Sequence, residues 1–370
     1  MIFKLDKYFN TSRMKYIFID SLMTKDKINK EVFLKGFGIS YNSFRVEKSK
    51  ERVSNDTAER LFQYYKIAPV NSKDKAEYEK CLNAVYYAIY FKERDKICDG
   101  IRFLNSYIEA GNYLKPLFIL FRIYGYMNIG NSASAIWQDL KNDLDYIAKI
   151  KKDYFIEEFR MIYEAVLYSF KLQSDLTDLR NLAIDYPKLK WIYLSAVGTV
   201  YYLKQEDEKA LRCYQQLSLE FQHTKNSERQ MIVHSNLCFI YNSLQEYAVS
   251  LKLAEEVLEY IYSSKDTVWI SNMTMHYLFA EFMLSRYEDI LVFSTDNLLD
   301  KSRLNWVSEI ICILAAYLGK RQRLTKELLE GFRENRYFPV LSQYISTGNK
   351  EALSALKQTP YVRQIIAKLK

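Results

Sequence analysis

The sequence predicts an all-α fold, and three observations carry that prediction. Glycine and proline are scarce, with 10 Gly and 5 Pro in 370 residues, so long helices with short connections are expected. Apolar residues recur at helical spacing along most of the chain, and no stretch sustains the period-2 alternation of a half-buried strand. Similar segments also return in the second half, with Tyr201 and Tyr241 set 40 residues apart. The length suits two or three domains, or one domain and an array of repeats.

Residues 1–23 place Phe3, Tyr8, Met14, Ile17, Phe18 and Leu22 at helical spacing, which predicts one or two supporting helices. Lys30 to Arg45 then reads KEVFLKGFGISYNSFR. Val32, Phe33 and Leu34 form a short apolar helix ending at Gly38. Glycine takes the positive φ of a tight inter-helix turn, and Ser40 stands where it caps the next helix. That helix runs from Ser40 to about Lys50 with Phe44 inward. This is the layout of a helix-turn-helix that sets its second helix in a DNA major groove.

The outward residues are Tyr41, Asn42, Arg45, Lys48 and Lys50. Arginine pairs with guanine edges and asparagine with adenine edges, while Ser40, Ser43 and the lysines suit phosphates. Gly-Ile-Ser-x-x-x-Phe-Arg resembles the core of repressor helix-turn-helix units, with Leu34 where those units carry alanine. Val53-Ser54-Asn55-Asp56 caps a further helix from Thr57 to Tyr65. Pro69 and Asn71-Ser72-Lys73-Asp74 mark a boundary.

From about residue 75 the chain reads as helix broken by polar turns, among them Ala110–Asn112, Asn128–Asn131, Gln173–Asp175 and Gln205–Asp207. One copy of the repeat is Gly198, Tyr201, a turn, then Ala210, Tyr214 and Leu217. The next is Cys238, Tyr241, a turn, then Ser250, Ala254 and Val257. A weaker third centres on Tyr277–Ala280 and Tyr287–Ile290. Small and aromatic residues so spaced resemble the tetratricopeptide repeat, although the 40-residue interval exceeds that family's usual one. The resemblance implies a right-handed α-solenoid with a concave face.

Two Ser-Asn pairs, Ser235-Asn236 and Ser271-Asn272, fall near the expected starts of inner helices. Asparagine is a poor helix-interior former, and its amide both donates and accepts, as clamping a peptide backbone requires. Ordinary helix caps are the other reading of these pairs. Arg229, His234, Tyr201 and Tyr241 would flank such a groove, with Arg160 and Tyr163 closing it from the helix Tyr154–Phe170.

Composition bounds the function. The 32 Tyr suit inter-helix seams, where a ring is buried and a hydroxyl finds a partner. Residues 1–60 hold 13 Lys/Arg against 8 Asp/Glu, which fits phosphate contact and equally a solvated basic surface. Cys81, Cys98, Cys213, Cys238 and Cys312 lack metal-ligand spacing and read as buried thiols of a reducing cytoplasm. His223, His234 and His276 form no ligand motif. No signal peptide is recognisable, and the apolar run Leu114–Tyr124 is broken by Lys115, Pro116 and Arg122. With no phosphate loop, nucleophile elbow or metal motif, no enzyme and no cofactor are expected; Glu157, Glu158 and Glu206-Asp207-Glu208 read as solvated carboxylates.

A helix-turn-helix domain (1–70), repeats (71–305) and C-terminal helices for capping and dimerisation (306–370) together resemble the RRNPP group. His234–Tyr260 is the segment most similar to that group's array. The resemblance implies a cytoplasmic homodimeric regulator that binds a double-stranded operator and a short signalling peptide, with an inner Asn such as Asn236 on the peptide backbone. A phage receptor of the arbitrium kind and a chromosomal quorum-sensing regulator both fit. The alternative is a repeat adaptor that docks a phosphatase or response regulator without binding DNA.

Overall fold

The computed structural model describes residues 1–9, 12–25, 34–129, 134–170, 176–262, 267–297, 304–333, 336–356 and 359–369. The regular structure of these residues is helical, and an isolated parallel bridge between Ala68 and Asn112 is the one extended pairing among them. Val32 and Phe33, and the turn Gln173–Asp175, lie outside the described residues. The chain divides into two compact units, Met1–Val197 and Gly198–Lys370.

Unit 1 begins with an irregular segment, Met1–Phe9, where the helical spacing had predicted a helix. Helix α1 (Ser12–Lys25), α2 (Tyr41–Ser49) and α3 (Asn55–Tyr64) follow. Ser54 caps α3 as expected, its hydroxyl accepting from the Thr57 N–H at 3.2 Å. The body then runs through α4 (Lys75–Tyr90), α5 (Arg94–Glu109), α6 (Lys115–Ile129), α7 (Ser134–Ile147), α8 (Glu157–Ser169) and α9 (Leu176–Asp185). Helices α4 to α7 pack successively, as do α8 and α9, and α6 also packs against α4 and α8. Helix α6 is therefore central, with Leu117, Phe118, Leu120 and Phe121 fully buried.

The unit boundary falls within α10 (Lys190–Leu203). Unit 2 continues through α11 (Asp207–His223), α12 (Ser227–Ser243), α13 (Tyr247–Ile261), α14 (Thr267–Met283), α15 (Tyr287–Asn297), α16 (Trp306–Leu318), α17 (Gln322–Gly331), α18 (Phe338–Thr347) and α19 (Pro360–Leu369). Helices α11 to α14 pack successively, and α12 also meets α14. Helix α16 is an interior helix: Ile310 through Ala316 are buried on every face.

The spaced turns of the sequence have a common geometry. Lys92, Gln205, Gln245, Ser285 and Lys320 each take a φ between 57° and 65°. The next N–H bonds back to the helix in each case, as from Glu206 to the Tyr201 carbonyl and from Glu246 to the Tyr241 carbonyl, at 3.0 and 2.8 Å. These are Schellman closures, which satisfy the last carbonyls of a helix. Three of them stand 40 residues apart, at 205, 245 and 285. Between α10 and α11, a Cβ on Gly198 would lie 3.1 Å from Cys213 and 3.2 Å from the Tyr214 ring, so glycine permits the close approach. In the next copy the pairing is polar: the Ser250 hydroxyl donates to the Cys238 carbonyl at 3.0 Å across α12 and α13.

Candidate functional site

The chain entering α2 turns where the sequence indicated. Gly38 has φ +65°, and the Ile39 N–H bonds back to the Leu34 carbonyl at 3.0 Å. Phe44 is buried and faces Tyr16 of α1, with ring centroids 6.3 Å apart. The Val53 N–H bonds to the Ser12 carbonyl at 3.3 Å, and Arg13 pairs with Glu51 at 3.0 Å. So α1 braces both ends of α2. Ser40, Tyr41, Asn42, Ser43, Arg45 and Lys50 are all exposed; Lys48 belongs to α2, but its side chain lies outside the described residues.

The proposed peptide contacts fall in several settings. Asn236 and Asn272 are both exposed, on α12 and α14. The Ser-Asn pairs are not caps: Asn226 caps α12, accepting from the Arg229 N–H at 3.2 Å, ten residues before Asn236. Leu237 and Ile240 face the core, leaving Asn236 on the other side. Tyr201 is half-buried under Lys209, and the Tyr241 hydroxyl accepts from Gln215 at 3.1 Å. Arg229 is buried, as is His234, whose Nε2 pairs with the Ser218 hydroxyl at 3.0 Å. Burial lowers the His234 pKa, with Glu256 opposing.

Arg160 and Tyr163 lie in unit 1. Arg160 bonds to buried Glu164 at 2.7 Å, and Tyr163 is a core residue stacked on Phe155 at 4.2 Å.

Two other asparagines, both buried, hold distant parts of the chain itself. Asn242, fully buried on α12, donates to the Tyr361 hydroxyl at 3.0 Å. That hydroxyl also meets His276 Nδ1 at 2.6 Å. The Tyr361 ring, carried by α19, stacks on Phe279 at 4.0 Å and on Phe239 at 5.0 Å. Burial lowers the His276 pKa to about 4, so the ring is neutral. Gln364 and Lys368 of α19 add bonds to the Asn242 and Met283 carbonyls.

In unit 1 the clamp is Asn83, buried on α4. Its Oδ1 accepts from the Ile2 and Phe3 N–H groups at 2.7 and 3.1 Å, and its Nδ2 donates to the Phe3 carbonyl at 2.8 Å. Glu79, one helical turn earlier, accepts from the Leu5 N–H at 2.6 Å. Tyr113 donates to the Tyr8 carbonyl at 2.7 Å. The Tyr8 hydroxyl donates to the Tyr154 carbonyl at 2.8 Å and accepts from the Ile156 N–H at 3.1 Å. Phe3, Leu5 and Tyr8 are fully buried, worth about 1.5–3 kcal/mol for an aliphatic or aromatic side chain.

Sequence reasoning passed over Asn83, Asn242 and Tyr361. The signal that drew attention to Asn236, an amide inside an apolar helix, was present at Asn83 (KCLNAVYY) and Asn242 (CFIYNS). Cys238 and Cys312 are buried as expected, whereas Cys81, Cys98 and Cys213 are only half-buried, on helices whose faces there meet solvent; among the described residues no group of His, Cys, Asp and Glu is placed to hold a metal. No described helix is long and apolar enough to cross a membrane. Compared with known proteins, the chain matches no family model, no curated protein and no solved structure.

Proposed function

We propose that the chain is a cytoplasmic, peptide-responsive DNA-binding regulator with a helix-turn-helix head and a tetratricopeptide-like array, of the RRNPP kind. One observation carries the reading: after the left-handed turn at Gly38, α2 buries Phe44 and turns Tyr41, Asn42, Ser43 and Arg45 outward. A helix braced on one side and polar on the other is what base reading in a major groove requires. Two such heads in a homodimer would match the paired half-sites of an operator. A short signalling peptide would lie along the exposed face of α12 and α14, with Asn236 and Asn272 on its backbone.

The test is binding to the DNA fragment upstream of the chain's own gene, titrated against salt. Arg45→Ala is expected to lower specific affinity by roughly 1–3 kcal/mol without altering the circular dichroism. Neutralising Lys48 and Lys50 should flatten the salt slope by about two charges' worth. Calorimetry with the cognate peptide should show that Asn236→Ala loses the ligand response but keeps DNA binding. Absence of salt-dependent DNA binding would sink the reading.

A second reading, the protein-docking adaptor, is favoured by an open groove of about 420 Å³ between α4 and α5, where Cys81, Ala84, Gly100 and Phe103 form an apolar floor. It predicts no operator binding in the same assay.

A further inference from the structure

We propose that Met1–Phe9 is an exchangeable ligand that the chain carries in cis, and that its groove in unit 1 accepts a peptide of the same chemistry in its place. That chemistry is an aromatic residue, an aliphatic two residues on and a tyrosine three residues after that. The argument is independent of DNA binding and concerns a different surface from that of Asn236.

The way the segment is held supports this. Its described long-range hydrogen bonds run through side chains: Asn83 and Glu79 on α4, Tyr113 before α6, and its own Tyr8 reaching toward α8. Asn83 reads a donor–acceptor pair that any peptide backbone offers, so it is blind to the residue it holds. The segment can leave without opening any helix, because no helix ladder includes it. Selectivity comes from the sockets. The Phe3 ring meets Tyr86, Phe121 and Phe159 with centroids 5.3, 4.9 and 5.1 Å away. Tyr8 packs on Tyr154 and Phe159 at 5.4 and 5.3 Å.

The intervening Lys4, Asp6 and Lys7 are exposed, and Asp6 pairs with Lys75 and Lys7 with Glu157 at the rim. The segment is extended to Leu5 and then turns, the Tyr8 and Phe9 N–H groups bonding back to the Leu5 carbonyl at 2.9 and 3.0 Å; buried anchors with exposed polar residues between them are the pattern of a peptide in a groove. The segment also precedes α1, which braces α2 through Tyr16 and Arg13. Exchange of the occupant would therefore reach the outward helix through the short link to α1 and the contacts of α1 with α2.

The experiment uses the full chain and a fluorescein-labelled synthetic peptide, MIFKLDKYF. In the Phe3→Ala/Leu5→Ala variant the cis segment is weakened, and the peptide is expected to bind at least tenfold more tightly than to wild type. Adding Asn83→Ala should reverse that gain, and a scrambled peptide should not bind. A folded double variant that ignores the peptide, or binding indifferent to Asn83, overturns the proposal. Hydrogen exchange on the wild type decides the matter should the variant not fold. Phe3 and Leu5 amides that exchange by local opening, well before the α6 amides, support it. Exchange of those amides only with global unfolding makes the segment a fixed part of the core and overturns it.

Discussion

Units 1 and 2 each use a buried asparagine to hold a distant part of the chain, but they read different things. Asn83 takes a backbone: both of its amide atoms are engaged, with Ile2, Phe3 and the Glu79 carbonyl, at 2.7 to 3.1 Å. Asn242 takes a side chain, the Tyr361 hydroxyl, and among the described residues its Oδ1 has no partner. A backbone clamp tolerates a change of occupant because every residue presents the same groups. A side-chain clamp specifies one residue, and ring stacking against Phe279 and Phe239 specifies it further. The comparison separates a segment built to be replaceable from one built to stay.

The largest expected effect tests the permanent lock. Tyr361→Ala removes a fully enclosed ring and leaves Asn242 and His276 without their shared hydroxyl. Unit 2 should lose about 3–5 kcal/mol in urea unfolding. A loss below about 1 kcal/mol would mean that α19 is only laid on the surface.

Acid should undo the same lock. The His276 pKa in the fold is about 4, against about 6.5 in the unfolded chain. As pH falls, the unfolded chain takes up the proton first, so stability is complete above about pH 6.5 and drains away toward pH 4. The wild type should lose roughly 3 kcal/mol more than His276→Gln over that window. Parallel pH profiles would show that the ring is hydrated.

Unit 1 should respond in a different manner. Asn83→Ala strands the Ile2 and Phe3 N–H groups, at about 1–3 kcal/mol for each group left unpaired. The comparison predicts that this loss shows first as faster exchange of residues 2–5, with the global midpoint moving less. Equal changes in both would erase the distinction between the two clamps.

The smallest expected effect lies between α12 and α13. Ser250→Ala restores the small residue of the preceding copy, Ala210, but removes the bond to the Cys238 carbonyl. A net loss of about 0.5–1.5 kcal/mol is expected from thermal melts.

Local features were legible in the sequence. Gly38 announced its turn, Ser54 its cap, and the intervals from Tyr201 to Ser250 located two hairpins, because turns and caps are decided by a few adjacent residues. The long-range clamps were not legible. Phe3 suited a helix by spacing, yet the Asn83 side chain 80 residues away satisfies its backbone instead, and only a turn over residues 5–9 is local. Asparagine inside a helix was a sound signal for recognition, but it marks Asn83, Asn236, Asn242 and Asn272 alike. Burial separates the first and third from the other two, and burial depends on what packs above, which no local pattern contains. The outward residues of α2 were readable because Phe44 alone fixed which side turns in.

The left-handed turns also offer a route to a hardier protein for laboratory work. Gln205, Gln245, Ser285 and Lys320 hold a conformation that strains an L-residue with a side chain by about 1 kcal/mol and does not strain glycine. Gln205 and Lys320 are solvent-facing and remote from both buried asparagines in sequence, whereas the Ser285 hydroxyl accepts from Lys368 of α19 at 2.8 Å and is better kept. Glycine at Gln205 and Lys320 would relieve strain at the tips of separate hairpins, and distant gains of this kind add. Such a double variant would provide a thermostabilised background for the destabilising substitutions that dissecting the two clamps demands.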